Sequence, residues 1–433
     1  MEQKAVLIIG GGIAGIQASI DLADMGIKVY LVEKKPSIGG RMAQLDKTFP
    51  TNDCSMCILA PKMIECKNHE NIQLLTYSML DEISGEVGRF KAKVIKKARF
   101  VEEDKCVGCG ECAEKCPTKV LDDFNAGLGK RKAIYKYFPQ AVPSTYVIDP
   151  AYCRTLNGKK CGVCEKICKA RAVNYKQKDQ ALILDIGAVI LATGFDLYDV
   201  APLKEYGWGR IDNVITAMQF ERMICASGPS GGHLKRPSDE KEPSRLAFIQ
   251  CVGSRDIRHK RYCSAVCCMH ATKEAILAHE HYPDLTSTIF YMDMRAVGKG
   301  FQDYVHRARD QYDVEYVRAR PGRVTENEEN QNPIIHYEDT VRRELNAREF
   351  DMVILSQALI PTESNVSIAK KLGIDLDEFG FISTPEKLAD PFGTTRDGIF
   401  GCGFCQSPMD VPDSVVRASA AASKAAEVLS LGV

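Results

Sequence analysis

"KAVLIIGGGIAGIQASIDLADMGIKVYLVEKK", residues 4–35, reads as strand, glycine turn, helix and strand. Gly10, Gly12 and Gly15 supply G-x-G-x-x-G directly after the apolar run that ends at Ile9, and Glu33 closes the second strand. Glycines at these positions let a backbone approach a pyrophosphate at a helix N-terminus, where unpaired N–H groups and the dipole favour negative charge. Glu33 stands where a carboxylate accepts from a ribose hydroxyl. A lone glycine motif is weak, but this one has its full strand, turn, helix, strand and acid context. "SIGGR", with Gly39, Gly40 and Arg41, follows at the next turn. A glycine-rich turn without a ligand is the poorer reading. The chain therefore opens as an α/β dinucleotide-binding fold.

Working outward, 433 residues allow a well-buried core and several domains. The 57 basic residues match 57 acidic ones, so net charge makes no electrostatic case for nucleic acid or an anionic membrane. No apolar run reaches the roughly 18 to 20 residues needed to span a bilayer, and the N-terminus lacks a signal peptide's cleavage region. A cytoplasmic location is expected, with membrane association only through partners. Eighteen cysteines in a large chain of this kind, clustered at gaps of two and three residues, point to metal ligation rather than disulfides.

Along the chain, the expected segments are a first part of the dinucleotide domain over 1–100, a cysteine-rich insertion over 101–180, and a second part with a linker over 181–240. A second nucleotide-binding-like domain over 241–385 and a closing part over 386–433 complete them. "ALILDIGAVILATGFD" (181–196) returns to apolar strand and leaves through Gly194. "CASGPSGGHLKRPSDEKEP" (225–243) has no G-K-[ST] and reads as a surface linker. "FDMVILSQALIPT" (350–362) is a second buried strand exit, and the Ala/Ser-rich tail from Pro412 and Asp413 is a helix.

"CVGCGECAEKCP" places Cys106, Cys109, Cys112 and Cys116 in the bacterial ferredoxin run C-x2-C-x2-C-x3-C-P. Its partner run, "CRTLNGKKCGVCEKIC", supplies Cys153, Cys161, Cys164 and Cys168. By the ferredoxin pattern one [4Fe-4S] cluster takes Cys106, Cys109, Cys112 and Cys168, and the other takes Cys153, Cys161, Cys164 and Cys116. Four thiolates could also bind zinc, a minority reading for paired runs of this spacing.

Strand "RLAFIQ" (245–250) should lead into a second glycine fingerprint for a nicotinamide nucleotide, but the turn reads "CVGSRD" with Gly253 alone. The helix that follows begins "YCSAVCCMHATKEA" (262–275). Cys251, Cys263, Cys267 and Cys268 at one sheet edge and helix N-terminus could hold a third [4Fe-4S] cluster, the dipole stabilising its charge. By spacing alone a buried cysteine patch or a redox dithiol competes nearly evenly. His259, His270, His279 and His281 flank these cysteines and read as solvated helix faces. A looser set, Cys54 and Cys57 of "TNDCSMC" with Cys402 and Cys405 of "GCGFC", could be two dithiols or one further cluster, leaving Cys66 and Cys225 as ordinary small residues. No Ser/His/Asp arrangement or acid pair suggests hydrolysis, so no catalytic side chain is assigned and the chemistry centres on a flavin.

These motifs together resemble the flavin-containing A subunit of heterodisulfide reductases. The resemblance runs through "GGGIAGIQASIDLADMG", "KKPSIGGRMAQLDKTFPTNDCSMCILAPKM", "FPQAVPSTYVID", "QCVGSRD", "YCSAVCCM" and "DVPDSVVRASAAA". It implies an α/β, two-dinucleotide-binding (thioredoxin/glutathione-reductase-like) flavoprotein with an inserted two-cluster ferredoxin domain. FAD would be held by Gly10, Gly12, Gly15, Glu33, Gly39, Gly40, Arg41, Gly194 and Gly403, with the helix start at Val411, Pro412, Asp413 and Ser414 lending its dipole to the flavin. The expected role is electron transfer within a larger complex, as a flavin-based bifurcation or confurcation centre. The implied partners are iron–sulfur and hydrogenase- or dehydrogenase-linked subunits, with ferredoxin a further candidate, in a dimer of hetero-oligomers. Alternatives are a redox relay of the quinone-modifying or benzoyl-CoA reductase type and an NAD(P)H-dependent disulfide reductase using Cys54 and Cys57. Family members carry extra terminal modules, so partner subunits are expected to handle electron entry or exit. Phe404 stands where such flavoproteins often place an Asp against the ribityl chain.

Overall fold

The computed structural model describes residues 5–386 and 388–431. Residues 1–4, 387, 432 and 433, which fall within the outer segments 1–100 and 386–433, lie outside the described residues. The chain forms two compact units: Met1–Ala43, Cys57–Phe195 and Pro361–Val433 make the first, and Gln44–Met56 with Asp196–Ile360 the second.

In the first unit, the run Ala5–Ile9 is fully buried and forms the inner strand of a sheet. The order is Ile72–Thr76, Val29–Glu33, Ala5–Ile9, Gln180–Leu191, Phe90–Lys96, Ser78–Ser84, with Ile399–Gly401 paired to the end of Gln180–Leu191. The first four strands run parallel and the last two antiparallel. Buried on both faces, the parallel strands are continuous apolar runs rather than alternating ones. Helix Ile13–Asp24 crosses from Ala5–Ile9 to Val29–Glu33 and stops at Gly26, whose φ of +80° suits a residue without Cβ. It packs against the final helix Val411–Leu431, whose Ala418, Ala421, Ala422 and Ala425 are completely buried. Methyl side chains let the two helix axes approach closely.

The ladder explains how a cysteine-rich domain interrupts this sheet. Lys96 and Gln180 are direct partners in the antiparallel pair of Phe90–Lys96 with Gln180–Leu191, so residues 97–179 leave and re-enter the sheet side by side. The insertion adds no strand to the sheet. It is tied back by an antiparallel bridge between Ile38 and Val142, by Ser37 Oγ donating to Val142 O at 3.1 Å, and by buried Arg99, which donates to Pro36 O and Thr76 Oγ1.

The second unit is a five-stranded, wholly parallel sheet ordered Val214–Thr216, Met352–Gln357, Arg245–Val252, Thr286–Tyr291, Glu315–Arg318. Helix Ala217–Ile224 starts from a capping box in which Thr216 and Gln219 satisfy each other's backbone N–H. Helix Cys267–His281 packs on the sheet, and an antiparallel sheet of Arg323–Glu326, Pro333–Asp339 and Glu344–Glu349 is appended, the polar run 327–332 making its first turn. Three stretches group otherwise than the sequence segments imply, the first being Gln44–Met56, which belongs to the second unit. Val214–Thr216 pairs with Met352–Gln357, which draws the stretch from 196 into the second unit. Helix Ser364–Leu372 packs on Ser78–Ser84, which returns the chain to the first unit from 361.

Replacing Ala422 by Leu in the helix contact is expected to cost ~1–3 kcal/mol through overpacking. Guanidinium denaturation of A422L beside the parent chain measures it.

Candidate functional site

At the tip of Ala5–Ile9 the chain makes an open cradle. A Cβ on Gly15 would lie 1.8 Å from Gly10 O, and one on Gly10, at φ +113°, would lie 2.2 Å from Ala192 O. These two glycines are locked by backbone contact. Gly12 differs: its nearest neighbour would be Gly40 Cα at 3.9 Å, which leaves a free backbone face at the start of helix Ile13–Asp24, a helix with no side-chain cap. Such a terminus suits a pyrophosphate. Gly39 N donates to Gly11 O at 2.7 Å, holding the Gly39–Gly40 turn beside it.

Glu33 accepts from Gly11 N and from Lys35 N, each at 2.7 Å. Burial pushes its carboxyl above the usual range, and the two N–H donors oppose that. Its remaining lone pairs suit ribose hydroxyls. Arg41 Nε donates to Phe195 O at 3.5 Å, its guanidinium 5.9 Å from the Phe195 ring centroid. Gly194 has φ +71° with nothing within 4 Å of a Cβ. Sequence reading missed Tyr137 of the insertion: its phenol lies close enough to Glu33 and Arg41 to feel both charges. The flanking Phe138 ring reaches 3.4 Å from the Cβ position of Gly39.

The carboxyl-terminal wall is more apolar than expected. Phe404 packs on Phe195 at 4.7 Å between ring centroids and is 5 % exposed, so it fills core rather than offering a polar contact. Gly403, at φ +71°, sits 3.1 Å from Ala14 Cβ by its Cβ position. At the start of Val411–Leu431, Asp410 caps Asp413 N and accepts from Ser414 N and Oγ, while Pro412 has no N–H. The dipole remains, but of residues 411–414 only Val411 keeps an N–H not used within the turn.

In the insertion, short helices Glu111–Glu114 and Val163–Ile167 each follow a glycine with positive φ, Gly110 and Gly162, and pack on each other. Cys116, Cys153, Cys161 and Cys164 line one pocket, walled by Ile134 and Ile148. Cys112 is pushed up to about 12 by burial and then by Cys106, Cys164 and Cys109, so the two cysteine sets lie close together, and Cys106, Cys109 and Cys112 all bear on the Tyr146 phenol. Cys168 Sγ accepts from Ala172 N at 3.3 Å and packs in one apolar cluster with Cys106, Cys112, Cys116, Cys153 and Cys164.

In the second unit, strand Arg245–Val252 ends with Cys251 at φ +58°, where its pairing shifts register. A Cβ on Gly253 would strike the Tyr198 ring at 2.6 Å, so this turn offers no open backbone to a pyrophosphate. Cys251, Cys263, Cys267 and Cys268 are near enough to act on one another. Burial, then the neighbouring thiols, pushes Cys267 far up and Cys268 up to about 11. Thiols crowded this way need a cation before they can ionise together. Around a single zinc ion, sulfurs sit ~3.8 Å apart, from Zn–S bonds of about 2.3 Å. Among the described residues, the one set of three or more such ligand atoms within 4.8 Å of one another is Glu221, His270 and Glu274, and it contains no cysteine. The cysteine groups are spaced wider than a lone ion demands.

Two expectations need correction. Cys54 and Cys57 are joined as a disulfide, so neither offers a thiolate to iron, while Cys402 and Cys405 are wholly buried. Cys405 Sγ donates to Leu191 O and Cys402 O, and burial raises both thiols. They pack the core, and a fourth cluster on these four is not supported. His270 is likewise no solvated face: its Nε2 lies 2.8 Å from Glu221 Oε2. Lys273 Nζ donates to Glu221 Oε2 at 2.5 Å and to Lys47 O at 3.3 Å, while Glu221 Oε1 accepts from Asp46 N. This network leaves no sign in the sequence, since Lys and Glu on a helix normally mark its wet side.

With this geometry in hand, comparison with known proteins is informative. Residues 5–55 match the FAD dependent oxidoreductase family model, and residues 100–122 match that of the 4Fe-4S binding domain. The second iron–sulfur A subunit of CoB–CoM heterodisulfide reductase from Methanopyrus kandleri is 51% identical over 427 residues, 98% of this chain and 64% of that protein. The chain is a relative of the heterodisulfide reductase A subunits. The A subunit of H(2):CoB-CoM heterodisulfide,ferredoxin reductase from Methanothermobacter marburgensis is 46% identical over 98% of the chain and 64% of its own length. The chain thus spans a little under two thirds of the curated relatives it matches. Among solved structures, Lactococcus lactis thioredoxin reductase superposes with a TM-score of 0.53 at 14% identity, covering 99% of each chain. The enzyme from T. acidophilum gives 0.52 at 15%, covering 99% and 98%. The fold is that of a thioredoxin-reductase-like flavoprotein with a ferredoxin insertion. No helix among the described residues is long and apolar enough to cross a membrane.

Gly15→Ala should weaken FAD binding at least tenfold, ~1.4 kcal/mol or more, because its Cβ would force the helix start away from Gly10 O. Fluorescence titration of flavin-stripped protein reads this. In iron-free protein at neutral pH, iodoacetamide should label exposed Cys109 well before buried Cys66, whose thiol is pushed up to about 12. Peptide mass mapping over time checks the order.

Proposed function

We propose that this chain is the FAD- and [4Fe-4S]-containing electron-transfer subunit of a heterodisulfide-reductase-like oxidoreductase complex, and that it acts as the bifurcating or confurcating centre. One observation carries the reading. In the second parallel sheet, the strand–turn–helix element that would dock a nicotinamide nucleotide presents Cys251, Cys263, Cys267 and Cys268 instead of a glycine cradle. Electrons would therefore pass through iron rather than arrive as hydride. FAD exchanges electrons in pairs and a [4Fe-4S] cluster passes them singly, and cluster potentials span hundreds of millivolts.

The residues divide the work. Gly12 and the first turn of Ile13–Asp24 would take the pyrophosphate, Glu33 the ribose, and Gly39, Gly40, Arg41, Gly194 and Gly403 the backbone-lined approach to the flavin. Val411, Pro412, Asp413 and Ser414 would supply the helix dipole. Cys106, Cys109, Cys112 and Cys168 would hold one cluster, Cys116, Cys153, Cys161 and Cys164 another, and the Cys251 group a third. Ile134 and Ile148 line the second site with hydrocarbon and limit water there. Partner subunits bearing iron–sulfur and hydrogenase- or dehydrogenase-type modules, with ferredoxin as a carrier, would complete the path.

Chemical analysis of anaerobically purified chain should find one FAD and about twelve iron atoms, three [4Fe-4S] clusters. Cys267→Ser should lower iron by about four while leaving flavin unchanged. Iron below eight per chain, or rapid flavin reduction by NADH alone, would overturn the reading in favour of a disulfide reductase. In the assembled complex, a bifurcating centre reduces a low-potential and a high-potential acceptor in equal amounts, whereas a simple relay reduces only one.

A further inference from the structure

Helix Cys267–His281 carries, beyond its cysteine start, a largely buried ionisable network whose His270 side chain is partly exposed. Glu221, Lys273 and Glu274 are completely buried. Glu221 is saturated: His270 Nε2 lies at 2.8 Å, Lys273 Nζ at 2.5 Å and Asp46 N at 2.7 Å. Glu274 is not. Among the described residues no N–H or hydroxyl donor reaches either of its buried oxygens, and His270 Nδ1 is 3.6 Å away. Its carboxyl faces that of Glu221, with the Lys273 ammonium also bearing on it, and two carboxylates so placed keep a proton between them. Three ligand atoms within 4.8 Å would invite a divalent cation, but the Lys273 ammonium already holds that position on Glu221.

We propose that Glu274, paired with Glu221, is a proton-accepting site coupled to the redox state of an iron–sulfur cluster at the N-terminus of its own helix. The proposal rests on the reading of Cys251, Cys263, Cys267 and Cys268 as the ligands of that cluster. Cys267 and Glu274 are seven positions apart on one helix, ~10 Å along its axis. At an effective dielectric constant of about 20, one added negative charge at that distance raises the proton affinity of a carboxyl by about one pH unit. The step balances: one electron from a low-potential one-electron donor, dithionite in the titration below, would reduce the cluster, and the Glu274 carboxylate would take one proton from water.

Burial and the Glu221 charge place Glu274 well above the usual carboxyl range, so the coupling appears above that range. Below the oxidised-state pKa Glu274 already holds its proton, and the potential is flat. Between the oxidised-state and reduced-state values the potential falls as pH rises. The charges that bear on Glu274 are those of Glu221 from Ala217–Ile224 and Lys273 from its own helix, with His270 alongside. Charged groups on other elements packed against the helix are directed elsewhere: Arg245 to Asp351, Tyr304 to Asn52, and Arg307 over the Tyr304 ring.

The test is a redox titration of the full, cluster-loaded chain followed by electron paramagnetic resonance from mildly acidic to alkaline pH. The signal lost in Cys267→Ser identifies the cluster. The expected result is a potential that falls with rising pH, by at most about half a proton per electron, over the roughly one-unit window between the two pKa values, and that becomes flat in Glu274→Gln. Absence of any Cys267-dependent signal defeats the underlying cluster assignment. A signal whose potential is flat in the parent chain, or whose slope persists in Glu274→Gln, overturns the proton site. Should Glu274→Gln not fold, redox-difference infrared spectra of the parent chain decide. A protonated-carboxyl band that changes on reduction and shifts in deuterium oxide supports the proposal, and its absence overturns it.

Discussion

The contact between the Gly10 carbonyl and the missing side chain of Gly15 is the constraint on which the first unit depends. It brings helix Ile13–Asp24 onto the end of strand Ala5–Ile9 with its open N-terminus beside Gly12. On the other side, Gly10 meets Ala192 O, so Ala5–Ile9 and Gln180–Leu191 must end at the same level. That alignment makes Gln180–Leu191 the strand to which the cysteine-rich insertion returns, next to its point of departure at Lys96. One backbone approach therefore connects the cradle, the sheet order and a tolerated insertion between residues 96 and 180.

Both parallel sheets place a helix N-terminus after a buried strand, and both ends attract negative charge by the same dipole. Residue choice at the turn decides what arrives. Glycines without side chains expose backbone N–H groups to a diphosphate. In the second sheet, Gly253 is blocked by the Tyr198 ring and Cys251 takes a left-handed conformation that turns the strand end toward Cys263, Cys267 and Cys268. An α/β scaffold is thereby converted from nucleotide to thiolate at one turn.

Below that turn, Glu221, Lys273 and Glu274 spend no charge on solvent. Glu221, Lys273 and Arg222 hold backbone groups of Gln44, Asp46 and Lys47, and Lys47 pairs directly with Cys54 in the short ladder Lys47–Thr48 with Asp53–Cys54. Such buried ionic groups contribute little net stability against an apolar core but are costly to break singly. Their use here is positional: they fix a short hairpin that has almost no apolar surface of its own.

The dinucleotide fold and the ferredoxin insertion were legible in the sequence, because each depends on local spacing: glycines at turns, apolar runs for strands, thiols at close intervals. Domain limits were less legible, since Val214–Thr216 and Ser364–Leu372 join sheets whose other strands lie far away in the chain. Phe404, standing where an Asp is often found, joined an aromatic cluster, and the Cys54–Cys57 pair closed on itself instead of joining Cys402 and Cys405, which the core absorbed. What the sequence alone determined was every feature encoded within a few residues of itself. Only the tertiary structure decided that Tyr137 stands beside Glu33, and that His270, Lys273 and Glu274 face inward to Glu221, because burial of a charged side chain depends on a partner supplied by another element.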